Sequence, residues 1–164
     1  MYRPRLIPVL LLHQRGLVKS RSFTQHEYVG DPINAVRIFN DARVDELVIL
    51  DIHATAQGRC VDLNWVKMIA EEAEMPLAIG GGISNTIQMQ QIIDVGVEKV
   101  ILGTLPILNE REVEKGASIL GSSSSVACVD VRKNNGNWSA FYKNGRVAVE
   151  SPVKDYLKRL ENMG

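Results

Sequence analysis

The stretch Pro76-Leu-Ala-Ile-Gly-Gly-Gly-Ile-Ser-Asn85 carries a short apolar strand through three consecutive glycines to a helix start at Ser84 or Asn85. Glycines lack a Cβ, so main-chain N–H groups there can approach an anion closely. The positive end of the following helix adds attraction for a phosphate. The alternative is a tight strand-to-helix turn that holds no ligand. On either reading the stretch is one strand–helix unit, and its neighbours repeat the pattern.

Outward from it, the apolar runs Leu6–Leu12, Leu47–Leu50, Leu77–Ile79, Val100–Leu102 and Val126–Val129 are short and lack period-two alternation. That suits strands covered on both faces of a parallel sheet. Helices fill the gaps. Asp31-Pro32 supplies a cap and a first-turn proline, before a stripe of Ala35, Val36, Phe39 and Ala42. Asp62 caps a second helix with Leu63, Val66, Ile69, Ala70 and Ala73 inward, ended by Pro76. A third carries Met89, Ile92 and Ile93 and stops at Gly96; a fourth carries Val113, Ala117 and Leu120 before Gly121. Ser151-Pro152 opens a fifth, with Val153, Tyr156, Leu157 and Leu160 on one face. Asn144-Gly145 marks a hairpin inserted in the loop before it.

Five βα units in series predict a parallel α/β fold, either an open sheet or part of a barrel. A full (β/α)8 barrel needs about 250 residues, and this chain has 164. As a barrel it is incomplete, a single domain over residues 1–164 with open edges on its first and fifth strands. Such edges favour pairing, so a shortened chain or self-association is expected.

Composition narrows the function. Lys+Arg 19 balances Asp+Glu 19, which removes the basic footprint of a nucleic-acid binder. Leu6–Leu12 is too short for a membrane span and is read as a buried strand. Cys60 and Cys128 form no CxxC pair and read as reduced packing thiols of a cytoplasmic protein. His13, His26 and His53 are scattered and show no metal-ligand spacing, so they read as polar loop residues, and no metal is expected.

Chemistry in such folds sits at the carboxyl ends of the strands. Asp51 ends one apolar run and Asp130 another. Either can serve as a general acid or base if burial raises its pKa; the alternative is a capping or ion-paired carboxylate. Gly103-Thr104 follows the fourth strand and can add an N–H and a hydroxyl to a phosphate already held by the glycine run. Lys19 and Arg21, in a long first loop, are candidates for drawing in an anionic substrate.

The segments Asp45-Glu-Leu-Val-Ile-Leu-Asp-Ile52, Gly80-Gly-Gly-Ile83 and Val129-Asp130 together resemble the cyclase subunit of imidazole glycerol phosphate synthase, from Arg5 to Gly164. The resemblance implies a (β/α)8 barrel of which this chain holds about the first five units. It implies two phosphate sites, one per half, and no cofactor. It also implies a glutaminase subunit, forming a heterodimer at the amino-terminal face and passing ammonia through the core to a phosphorylated ribotide. Arg5, Glu46 and Lys99 match three charged residues of the ammonia gate. Gly81, Gly82, Gly103 and Thr104 match one phosphate site, with Gly103 replacing the usual asparagine. Asp130 matches one of two catalytic aspartates, and Asp51 matches a position at the end of strand two. The other catalytic aspartate aligns with Leu11, which cannot move a proton.

Pro8-Val-Leu-Leu-Leu12, Tyr28-Val-Gly-Asp-Pro32 and Asp51-Ile-His-Ala-Thr55 resemble a specialised branch linked to acetamidino modification of surface-polysaccharide sugars. Three readings follow: a lyase-type cyclase, a noncatalytic ammonia-conducting scaffold for a sugar amidotransferase, and a sibling phosphoribosyl isomerase barrel. The gate residues argue against the isomerase, and Leu11 shifts weight toward the scaffold.

Overall fold

The computed structural model describes residues 3–21, 25–134 and 136–164. The chain runs β1 (Val9–His13), β2 (Gly16–Arg21), β3 (Gln25–Gly30), α1 (Pro32–Asp41), β4 (Leu47–Asp51) and α2 (Leu63–Glu72). It continues through β5 (Leu77–Gly80), α3 (Thr86–Asp94), β6 (Lys99–Leu102), α4 (Leu105–Leu108), α5 (Glu110–Leu120) and β7 (Ser125–Ala127). Last come β8 (Asp130–Asn134), β9 (Asn137–Tyr142), β10 (Val147–Ala148) and α6 (Val153–Asn162).

The main sheet has the order β3-β2-β1-β4-β5-β6-β7. β1 and β4 to β7 are parallel, as five strand–helix units require. The sheet is open, not a closed barrel, over the described residues. The helix starts lie where the sequence puts them, because the caps are real. Asp31 Oδ1 accepts from the Asn34 amide at 3.0 Å, Asp62 Oδ1 from Asn64 at 2.9 Å, and Asn85 Oδ1 from Gln88 at 3.0 Å. Leu47, Ile49, Leu77, Ile79, Val100 and Leu102 of the sheet pack with Val36, Val66, Ile69, Met89, Ile92 and Val113 of the helices, all buried. This sheet–helix layer is the core.

Several expectations need correction. The run Leu6–Leu12 is not one buried strand. β1 begins at Val9, Leu6 and Val9 are 62% and 56% exposed, and Leu12 is the buried member. The cause is the pairing: β1 meets β4 along one edge, and β2 covers the other edge only from Leu11 to His13. That covered half also means the first edge is not fully open. The long first loop is an antiparallel meander, β1-β2-β3. β7 pairs with β6 alone among the described residues, which leaves Val126 and Cys128 exposed. Cys128 is therefore not a packing thiol. Asp130 does not end the fifth parallel strand but opens β8, in a separate antiparallel sheet of order β10-β9-β8. The hairpin at Asn144-Gly145 is present, and its turn places Lys143, Asn144 and Gly145 at φ 51, 59 and 69°.

The glycine run has an internal steric cause. Gly81 sits at φ +141°, and a Cβ there would lie 2.7 Å from Asp51 Cβ. Gly82 sits at φ +62°, and a Cβ there would overlap the Arg59 carbonyl oxygen. The loop from Asp51 to Arg59 lies directly on this backbone. At Gly103 the nearest atom to a built Cβ is the Cys128 carbonyl oxygen at 3.7 Å, so a side chain fits. We expect Gly82→Ala to lower unfolding stability by more than about 2 kcal/mol, through clash and left-handed strain together. Gly103→Asn should stay within about 0.5 kcal/mol of the parent. Urea titration of the three proteins checks both, and equal midpoints would refute the steric account.

Candidate functional site

A cleft of about 480 Å³ opens at the carboxyl ends of the parallel strands. The turns after β5 and β6 bring Gly81, Gly82, Gly103 and Thr104 to its wall, and the start of β8 brings Asp130. These five residues, far apart in the chain, share one cavity. Leu11 lines the same cavity, so the apolar side chain stands on the working side of the sheet.

Asp130 is half-buried, and desolvation raises its carboxyl pKa above the ordinary range. A hydrogen bond from the Gly145 amide and the charge of Arg132 act the other way but do not cancel it. Arg132 also donates to the Gly145 carbonyl at 2.7 Å and lies over the Phe141 ring at 4.7 Å. The turn between β9 and β10 is thus tied to the strand that presents Asp130. Asn144 Nδ2 donates to the Ile52 carbonyl at 3.1 Å and closes the turn over the end of β4. Lys143 and Arg146 of this turn line the cleft. Sequence reasoning found the turn from Asn144-Gly145 but assigned nothing to its basic flanks, which only the closed position makes relevant.

Asp51 has a different place from the one expected of a reactive acid. It is 5% exposed, and its carboxylate is committed. Oδ1 accepts from the amides of His53 (3.0 Å) and Ala54 (3.1 Å), and Oδ2 accepts from Arg59 Nη1 at 2.7 Å. That is the capping and ion-paired alternative. Arg59, which the sequence did not single out, is its partner. Lys19 is exposed on β2, and its neighbour Ser20 lines the cleft instead. Strand alternation sends adjacent side chains to opposite faces, so a lysine read as a loop residue points away.

The start of α3 offers less to an anion than its sequence suggests. The Thr86 amide donates to Glu112 Oε2 at 2.6 Å and the Gln88 amide to the Asn85 cap. The Thr86 amide and hydroxyl hold the Glu112 carboxyl below its usual range. A carboxylate from α5 already occupies this helix end, so the turns after β5 and β6 carry whatever anion affinity the wall has.

At the opposite, amino-terminal end of the sheet, Glu46 is 4% exposed and takes two cations. Arg5 donates to Oε2 at 2.7 Å, and Lys99 Nζ reaches Oε1 and Oε2 at 2.8 and 2.7 Å. Residues 41 and 53 positions away from Glu46 converge on it. Glu46 is buried while Arg5 is exposed and Lys99 partly so. Loss of a cation therefore leaves a buried carboxylate short of a partner at a cost that solvent around the cations moderates, and the triad is structural whatever else it does.

The histidines are not scattered. His13 ends β1, His26 lies in β3 and His53 follows β4 by two residues. Their ring centroids are 4.1 Å (His13–His53), 5.1 Å (His26–His53) and 5.2 Å (His13–His26) apart. Burial and the two neighbouring imidazoles lower the His53 pKa. No spacing rule would find this group, because the meander that folds His26 back was unread.

The family model described as "Histidine biosynthesis protein" matches residues 5–164. The chain is 40% identical over 166 residues to a Leptospira interrogans protein provisionally named imidazole glycerol phosphate synthase subunit HisF, covering 100% of this chain and 65% of that one. It is 39% identical over 165 residues to a Pseudomonas aeruginosa protein provisionally named subunit hisF2 of the same synthase, covering 100% and 66%. It is 33% identical over 165 residues to the imidazole glycerol phosphate synthase subunit HisF of Bacillus cereus, again covering 100% and 66%. The chain thus spans about two thirds of the length of these relatives. No helix among the described residues is long and apolar enough to cross a membrane.

The half-buried Asp130 makes a pH prediction. Its raised pKa means that ionisation opposes folding, so its contribution is most favourable at acid pH and declines as pH rises through the folded value. Asp130→Asn removes the charge but keeps an acceptor for the Gly145 amide. The variant should be more stable than the parent at pH 7, with the gap closing below about pH 4. Thermal melts of both proteins across that range test this, and a variant that is less stable at pH 7 refutes it.

Proposed function

The chain belongs to the histidine biosynthesis protein family, whose fold is the (β/α)8 barrel, and from that premise we propose that it is an ammonia-using homologue of the imidazole glycerol phosphate synthase cyclase subunit. The observation that carries this reading is the two-ended arrangement. A buried carboxylate holding two partly exposed cations stands at one end of the parallel strands, and a polar cleft with one elevated carboxyl stands at the other.

In this reading a glutaminase subunit docks at the amino-terminal end. Arg5, Glu46 and Lys99 form the entrance through which ammonia passes toward the cleft. Gly81, Gly82, Gly103 and Thr104 hold a phosphate of the substrate, and Lys143 and Arg146 supply cationic charge from the opposite lip. Closing a ring with ammonia requires protons to be moved, and Asp130 is the residue to move them. A carboxyl raised toward neutral pH is better matched to that work than an ordinary one. The substrate class is a phosphorylated ribotide, and the setting is the cytoplasm.

Leu11 favours a second reading. It lines the cleft at the position where the resemblance expects an acid, and loss of one member of an acid–base pair removes about 10²–10⁴-fold of rate. On that reading the chain conducts ammonia to a separate amidotransferase that modifies a surface-polysaccharide sugar.

Reconstitution with the cognate glutaminase separates the two. Ribotide turnover supports the cyclase, and glutamine-dependent amidation of an acetamido sugar nucleotide without ribotide turnover supports the scaffold. Asp130→Asn should lower ribotide turnover by about 10²–10⁴-fold while the domain stays folded; unchanged turnover removes Asp130 from the chemistry. Lys99→Ala, with its fold checked by circular dichroism, should leave glutamine hydrolysis running while product formation falls behind it. Unaltered coupling of the two rates would refute the entrance.

A further inference from the structure

We propose that His13, His26 and His53 form a three-imidazole site for a divalent transition-metal ion of the zinc class, with a fourth coordination position open to the cleft. One ligand nitrogen from each ring lies within 4.8 Å of those of the other two. Tetrahedral zinc with bonds of 2.0–2.1 Å sets its nitrogens about 3.4 Å apart. The rings therefore need to close by on the order of 1 Å, which small side-chain rotations supply. All three rings are half-buried, so part of the desolvation cost of a site is already met.

The cluster has no other evident cause. Three rings come from three separate segments: the end of β1, the middle of the meander, and the turn after β4. The carboxylate that acts on His53, Asp51, is occupied by two amides and Arg59. Among the described residues no hydrogen bond orients these imidazoles. Three rings brought together with no carboxylate hydrogen-bonded to them leave one nitrogen each within 4.8 Å of the other two. Imidazole sets of this kind select zinc, copper or nickel over magnesium and calcium, which demand oxygen ligands.

The position of the cluster adds a function to the affinity. His26 and His53 line the cleft that also holds Gly81, Thr104 and Asp130. Three protein ligands leave zinc one position for water or an anionic substrate oxygen, the arrangement of sites that act on ligands rather than of closed structural sites. The ion would stand on the cleft wall and bind an oxygen there. This does not depend on the cyclase reading, because binding of the ion is measured without substrate or glutaminase.

The test uses the 164-residue chain, stripped of metal and dialysed against Zn²⁺, Co²⁺ or Mg²⁺ alone. The expected result is one Zn²⁺ or Co²⁺ per chain and no Mg²⁺. Bound Co²⁺ should show the intense visible absorption of a tetrahedral site, without a sulfur charge-transfer band. His26→Gln and His53→Gln should each weaken Zn²⁺ binding by more than the roughly 10–100-fold that loss of an outer-shell partner costs. Cys60→Ser and Cys128→Ser should bind as the parent does. If a histidine variant does not fold, the parent alone decides: Zn²⁺ must protect its three histidines from carbethoxylation. Absence of stoichiometric binding, parent-like binding in either histidine variant, unprotected histidines, or loss of binding in a cysteine variant would each overturn the proposal.

Discussion

The Asp51 carboxylate is the interaction on which the working end of this molecule depends. It is buried at the end of β4 and accepts from two amides of its own turn and from Arg59. Those bonds curl residues 51–59 back over the end of β5. The Arg59 carbonyl then rests where only a glycine at position 82 leaves room, and the Val61 amide closes the contact by donating to the Gly81 carbonyl at 2.9 Å. Charged hydrogen bonds to a buried carboxylate are among the stronger ones available, and leaving such an acceptor unpaired is expensive. One side chain thus sets the floor of the cleft and the path of the loop that carries His53.

This changes what the glycine run means. As sequence, three glycines between a strand and a helix suggest a phosphate cradle. In the fold, Gly81 and Gly82 are demanded by a neighbouring backbone before any ligand arrives. The two causes are compatible, because a loop held this close leaves main-chain groups at the cleft wall with no side chains to shield them. Gly103 has no such steric cause, so a side chain added there would line the cleft without disturbing the fold.

The parallel layer was legible because its signals are local. A cap residue, a first-turn proline and an apolar stripe act within a few positions, and Asp31, Asp62 and Asn85 do what their types predict. The meander was not legible. β2 buries Leu17 and Val18 side by side across a register shift, so alternation is broken where it would have been read. Missing that hairpin hid the histidine cluster and turned Lys19 into a loop cation. Lys143 and Arg146 were missed for a related reason: their position depends on Asn144 bonding to Ile52, 92 residues away, and no window along the chain contains both. Leu6 and Val126 show the reverse error. Both read as core because they are apolar, yet Leu6 lies before β1 and Val126 lies in β7, which pairs with β6 alone among the described residues, and both are exposed.

Glu46 shows why a buried ion cluster need not be chosen as either structural or functional. Burying one carboxylate with two cations is costly in desolvation, and apolar residues of similar volume commonly serve stability as well or better. Stability alone is therefore a weak reason for the arrangement. Arg5 lies before β1, Glu46 before β4 and Lys99 at the start of β6, so the triad also locks three strand beginnings in register. Lys99 and Arg5 retain partial exposure while Glu46 does not. The cationic head groups reach toward solvent, and the carboxylate that holds them is sealed beneath. Such cations keep their heads in water while their stems cover apolar surface, so the triad ties three strand beginnings together and still leaves positive charge open to solvent at that end of the sheet.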